Sequence, residues 1–176
     1  MKKIINTIFM LLAVMLSIPA DAQVHKPRVS PPESVTGKLD DATVTINYSS
    51  PSVKGRKIWG GLVPYDTVWR AGANEATTFE TDLPLRIGGQ YLPAGKYGFF
   101  IIPGKANQWV AIFNNVADQW GAFKYDKTKD AIRVNVAAQP LDTGQEMLVY
   151  KIVPGGFSLT WEMLSVFVPV SPEPVD

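Results

Sequence analysis

The stretch Ala42-Thr43-Val44-Thr45-Ile46-Asn47-Tyr48-Ser49 decides the fold class. Val44, Ile46 and Tyr48 alternate with Thr43, Thr45, Asn47 and Ser49. A period of two puts the first set on one side of a pleated strand and the second on the other. One side packs and the other meets water, which is the pattern of an antiparallel strand covering a core. The same pattern recurs in both directions. Upstream, Leu39-Asp40-Asp41 reads as a turn after a short strand at Ser34 to Lys38. Downstream, Ala76 to Thr81 reads as a strand, and Leu83, Leu85 and Ile87 alternate on either side of Pro84. Gly88-Gly89 is a hairpin turn, and Leu92-Pro93-Ala94-Gly95 is another.

Lys96 to Ile102, KYGFFII, is apolar on both faces and predicts a central strand ended by Pro103-Gly104. Further strands are predicted at Trp109 to Phe113, Ala131 to Ala137 and Glu146 to Val153, with loops at Asn114 to Tyr125 and Pro140 to Gly144. Phe157, Leu159, Trp161 and Met163 share one parity, whereas Leu164, Val166, Val168 and Val170 share the other. Slipping by one residue flips every side chain, so a bulge belongs near Glu162 to Leu164. No helical period is sustained and no long repeat is visible. The expectation is an all-β chain of about nine or ten strands, an antiparallel β-sandwich or jelly-roll-like barrel, in one domain over 34–170.

The chain has 176 residues, no cysteine, one histidine, 14 Gly and 14 Pro. Lys2 and Lys3 precede the apolar run Ile8 to Leu16, and Ala20-Asp21-Ala22 fits a small-x-small cleavage site, so residues 1–22 read as a secretory signal. That run is too short to span a bilayer. The expected location is the periplasm or the cell exterior, reached through the secretory pathway, with no transmembrane segment in the mature chain. Without cysteine there is no lipoprotein anchor and no disulfide, even in an oxidising destination. A mature chain of roughly 150 residues buries about two thirds of its unfolded surface and needs no staple. Removing Lys2, Lys3 and Asp21 leaves acidic and basic residues equal in number, which argues against general nucleic-acid binding. Gln23 to Pro32 is expected to be an extended lead-in or loosely held tail, and the Pro-rich end from Ser171 is expected to fray.

One stretch is too irregular for a strand and too apolar for a solvated loop: PSVKGRKIWGGLVPYDTVWRAGANEATTFET, Pro51 to Thr81. It reads as a packed segment crossing the domain. Within it, Trp69-Arg70-Ala71-Gly72-Ala73-Asn74-Glu75 places an indole beside a guanidinium, an amide and a carboxylate. Those are the groups that hold a sugar, with Trp on the ring face and Arg70, Asn74 and Glu75 on hydroxyls. The same residues also serve a structural purpose if Arg70 pairs with Glu75 and Asn74 bonds nearby main chain. Lys54-Gly55-Arg56-Lys57 either holds an anion or is a solvated turn. Trp120, in the long loop, is the tryptophan expected to be exposed, while Trp109 and Trp161 belong to the core. The candidate ligand-binding set is therefore Lys54, Arg56, Trp69, Arg70, Asn74, Glu75 and Trp120.

Enzyme constellations are thin. A serine–histidine triad lacks a credible base, and zinc of the His/Cys type lacks ligands, so no cofactor or metal is expected. Carboxylate chemistry remains, with Glu75 as the weak catalytic candidate beside Glu80, Asp82 or Asp66. The leading expectation is a non-catalytic module for a small polar or carbohydrate-like ligand. The alternatives are a carboxylate-dependent hydrolase using Glu75, and an envelope structural or protein-interaction module.

Pro51 to Thr81, the following LPAGKYGFFIIPG at Leu92 to Gly104, Trp120-Gly121 and Tyr125-Asp126 together resemble one family, the secreted bacterial proteins of domain-of-unknown-function family 2911. The likeness runs from about Ser30 to Val170. It implies a secreted β-protein and supplies no activity, substrate or cofactor. One departure is Ser50, where the family often carries arginine, so a cation at that position is not essential to the pattern.

Overall fold

The alternation at Ala42–Ser49 becomes a strand with Val44 and Ile46 fully buried and Asn47 exposed. A computed structural model describes residues 28–172. The secretory signal, His25 and residues 173–176 lie outside the described residues. The strands are β1 (Pro32–Leu39), β2 (Ala42–Ser49), β3 (Thr77–Thr81), β4 (Leu85–Ile87), β5 (Gln90–Leu92), β6 (Gly95–Ile102), β7 (Gln108–Asn114), β8 (Asp130–Val153) and β9 (Gly156–Pro172). They form one nine-stranded antiparallel sheet in the order β1-β2-β3-β6-β7-β8-β9-β4-β5. No ladder among the described residues joins β1 to β5, so the sheet is folded over and not closed into a barrel.

β8 makes the fold. Its residues from Asp130 to Ala137 pair with β7, and from Ala138 onward it pairs with β9. The predicted loop at Pro140 to Gly144 is instead the bend of a continuous strand, where the pairing register shifts between Pro140 and Gln145. The expected irregularity near Glu162 is present: Glu162 takes a positive φ of 56° and joins the two parity sets of one long strand. β9 continues through Ser171 and Pro172, which pair with Arg86 and Leu85 of β4. Strand pairing thus extends two residues into the end expected to fray.

The bend brings two layers face to face. β1, β2, β3, β6, β7 and the start of β8 make one layer. The end of β8, β9, β4 and β5 make the other. Phe79, Phe99 and Phe113 of the first layer meet Phe157 of the second at centroid distances of 5.4, 5.4 and 6.5 Å. Such tilted and edge-on contacts fill space at native density and add to the burial free energy.

The crossing segment follows β2 into the second layer. Leu148 N–H donates to Pro51 O (3.0 Å), and Val53 N–H donates to Glu146 O (2.9 Å). It returns at Trp69, whose main chain exchanges two hydrogen bonds with Ile101 of β6 (2.8 and 2.9 Å). Between these ends it inserts Ile58, Trp59 and Val63 into the core. Trp59 lies edge-on to Trp69, Trp109 and Trp161 at 5.6, 4.7 and 5.9 Å. The segment is ordered because it closes this end of the sandwich with indole rings.

β6 is buried on both faces, as its sequence requires. Phe99 and Ile101 point into the main core. Phe100 points outward into a second cluster with Ala76 and Ile112, covered by Ala122 and Tyr125 from the chain after β7. That chain carries a 3-10 turn at Lys127–Lys129, capped by Asp126, whose carboxylate accepts from Thr128 N–H.

Candidate binding cavity

A row of small or polar residues crosses the outer face of the first layer. Asn47 pairs with Thr78, Thr78 with Gly98, and Gly98 with Asn114. At the end of the row, Asn114 Oδ1 accepts from Val116 N–H (3.0 Å), and its Nδ2 donates to Asp130 (2.8 Å) and Asp126 O (3.0 Å). These bonds turn the 115–120 loop back over the sheet. The loop lies so close that a Cβ on Gly98 would sit 2.7 Å from Val116 O. Only glycine permits that approach.

The returning loop pairs with the crossing segment. Ala76 N–H donates to Gln119 O (2.9 Å) and Gly121 N–H to Asn74 O (3.0 Å), which sets Glu75 opposite Trp120. The space beneath is a cavity of about 760 Å³. Asn47, Tyr48, Thr78, Glu75, Gln119 and Trp120 contribute to its wall, with Arg28, Glu33, Lys96 and Asp118 also present. Trp120 is 59% exposed, as expected for the loop tryptophan. Thr78 Oγ1 and Gln119 Oε1 are buried and have no hydrogen-bond partner.

Glu75 is bound by Arg28, whose Nη1 donates to both carboxylate oxygens at 2.8 and 2.9 Å. Its pKa is lowered, first by its own main-chain N–H; burial opposes this, and the Arg28 guanidinium and the Ser49 hydroxyl add to the lowering. The internal Arg70–Glu75 pair allowed by the sequence does not form. Neither do the suggested carboxylate pairs gather. Asp82 caps β2 by accepting from Thr43 N–H (2.6 Å), and Asp66 lies in a turn against Pro103 (2.8 Å). Neither these two nor Glu80 lines the cavity with Glu75; Glu33 and Asp118 do.

Six of the seven candidate residues divide between two places. Glu75 and Trp120 line the large cavity. Lys54, Arg56, Trp69 and Arg70 line a separate hollow of about 220 Å³. Asn74 lines neither. Its φ of 58° turns the chain, and its Nδ2 donates to Ser30 O (3.3 Å), holding the lead-in. Trp69 is not an open sugar platform. It is 8% exposed, stacked on Trp161 at 5.8 Å, and donates its Nε1–H to Gly72 O (3.2 Å). The crossing segment needs that indole to complete the core, and this outweighs display to solvent.

Sequence reasoning missed Asn47, Thr78, Gln119 and Arg28. Asn47 and Thr78 each carry a signal, since both occupy the polar parity of their strands. Their meeting depends on the β2–β3 register, which no local pattern encodes. Among the described residues, no group of three or more His, Cys, Asp or Glu side chains converges to hold a metal ion, and no helix is long and apolar enough to cross a membrane.

Residues 30–170 match the family described as protein of unknown function (DUF2911). The chain belongs to that family. The matched region covers β1 to β8 and β9 as far as Val170, and it supplies every wall residue of the two cavities except Arg28 and Val29. No curated protein and no solved structure matches the chain.

Proposed function

We propose that this DUF2911 protein is a secreted or periplasmic, non-catalytic module that binds a small polar or carbohydrate-like ligand in the cavity beneath the 115–120 loop. The observation that carries this reading is a pair of unpartnered buried polar atoms, the Thr78 hydroxyl and the accepting Gln119 amide oxygen, on a wall shared with the exposed Trp120 ring. Leaving a buried polar group unsatisfied costs roughly 1–3 kcal/mol. A ligand hydroxyl supplies both a donor and an acceptor and relieves that cost. The charges of the wall are largely paired, Arg28 with Glu75 and Lys96 with Asp118 (3.2 Å), which suits a neutral polyol better than an ion. Trp120 supplies the apolar face that stacks on a sugar ring.

The test is a thermal-shift and calorimetric screen of neutral sugars, peptidoglycan fragments and organic acids. A neutral sugar or glycan fragment is expected to raise the melting temperature. Trp120→Ala should then weaken its binding about tenfold or more, roughly 1.4 kcal/mol, with little change in stability. No shift from any neutral compound would overturn the reading.

The hydrolase reading is favoured by one observation, the shared presence of Glu75, Glu33 and Asp118 on this wall. The lowered pKa of Glu75 suits an ionised acceptor and opposes its use as the proton donor at neutral pH. Turnover of a glycoside or ester that disappears in a normally folded Glu75→Gln variant would establish it in place of simple binding. The third reading, an envelope structural or protein-interaction module, would be favoured by specific neighbours crosslinked in cells.

A further inference from the structure

The small hollow is built differently from the large cavity. Its wall carries Lys54, Arg56 and Arg70 and no carboxylate. The turn that presents the first two is held firmly. Lys54 and Gly55 have φ of 48° and 65°, and Arg56 N–H closes the turn on Val53 O (3.0 Å). Two successive left-handed residues define a type I′ turn, which glycine adopts without strain. The Arg56 guanidinium is then fixed by Nε–H to Val53 O (3.0 Å) and by a bond to Ser52 O. The nearest carboxylate with a contact to the turn is Glu146, whose Oε1 accepts from Lys54 main-chain N–H (2.9 Å) and which is not on the wall.

Arg70, on the returning limb of the crossing segment, contributes to the same wall and also borders a neighbouring hollow with Ala122 and Phe123. Its Nε is buried and has no hydrogen-bond partner. Among the described residues, none of Lys54, Arg56 and Arg70 is paired with a carboxylate. Burial disfavours the charge of Arg70, and an anion in the hollow would compensate it while drawing on the exposed Lys54 and Arg56 beside it. Trp69, Trp161 and Leu62 supply apolar wall. The volume, about 220 Å³, is less than a third of the large cavity's 760 Å³ and suits a compact group.

We propose that this hollow is a binding site for a small oxyanion, a carboxylate, phosphate or sulfate group on a compact body, held by Arg70, Lys54 and Arg56. The site is distinct from the sugar cavity, so failure of the sugar screen leaves it untouched. Trp69 and Trp161 on the wall make intrinsic fluorescence the readout. The protein is titrated with inorganic phosphate, sulfate, acetate and benzoate, each against sodium chloride at equal ionic strength. At least one of the four is expected to give a saturable change with a midpoint below about 10 mM, absent with chloride. Arg70→Met should raise that midpoint at least tenfold, and Lys54→Met should raise it severalfold. Should Arg70→Met fail to fold, Lys54→Met, on an exposed turn, decides alone. The proposal is overturned if none of the four saturates below that limit, or if every folded variant binds as the parent does.

Discussion

Trp161 sits where both limbs of the crossing segment meet the sandwich. Its ring stacks on Trp69, meets Trp59 edge-on and is 1% exposed, and its Nε1–H donates to Glu146 O (3.3 Å). Trp161→Ala should cost about 3–5 kcal/mol, because the rings around it belong to separate elements and cannot all move inward. A urea unfolding curve would read the loss as a lower midpoint. Trp120, by contrast, touches solvent over more than half its surface, so its truncation should leave that midpoint nearly unchanged. A large drop for Trp120→Ala would mean that the loop, and not the ligand, is what the ring serves.

At the scale of the element, the chain between β7 and β8 is held at both ends. Gly98 permits contact with the sheet at one end. At the other, Tyr125 Oη–H donates to Asp130 (2.7 Å) and accepts from Arg133 (2.6 Å), which also bonds Asp130 (2.6 Å). Gly98→Ala should force the loop off Val116 at a cost of roughly 1–3 kcal/mol and open the large cavity. The check is faster amide exchange over residues 115–120 together with a red-shifted fluorescence spectrum. Tyr125→Phe removes a hydroxyl bonded to two charged groups and should lose about 1.5–3 kcal/mol. Its exchange signature should lie over 122–130, and an unchanged unfolding midpoint would contradict it.

At the scale of the whole molecule, four buried or half-buried tyrosines set an alkaline limit. Burial is the first cause raising Tyr48, Tyr97, Tyr125 and Tyr150 above the ordinary value of 10.0, with Tyr125 pushed up to about 12. The folded state therefore keeps their protons longer than the unfolded chain does. The stability linked to them is complete below about pH 10 and is lost as pH rises through the folded values. Urea midpoints should be level from pH 8 to 9.5 and then fall steadily toward pH 12. On the acid side, Glu75, Asp82 and Asp126 have lowered values. Their contribution is present above the unfolded values of 4.5 and 3.8 and fades as pH falls below them, and it is small because all three are well solvated.

Local pattern alone determined most of the strands, but not that Asp130–Val153 runs as one. The polar–apolar parity of β2, the doubly apolar β6 and the parity switch at Glu162 are each written in a few adjacent residues, because a strand's period is a property of its own backbone. The core tryptophans Trp109 and Trp161 were legible for the same reason, and the exposed Trp120 from its place in a loop. Tertiary structure decided what the polar residues do. Arg70 and Glu75 are five positions apart yet line different cavities, since the chain turns at Ala71 and Asn74 and the returning loop claims only one of them. Asn47 and Thr78 become neighbours through strand register, and Arg28 reaches Glu75 across 47 positions. A site assembled from distant segments depends on how two layers and a folded-over strand bring them together, and that free energy is distributed over the whole core.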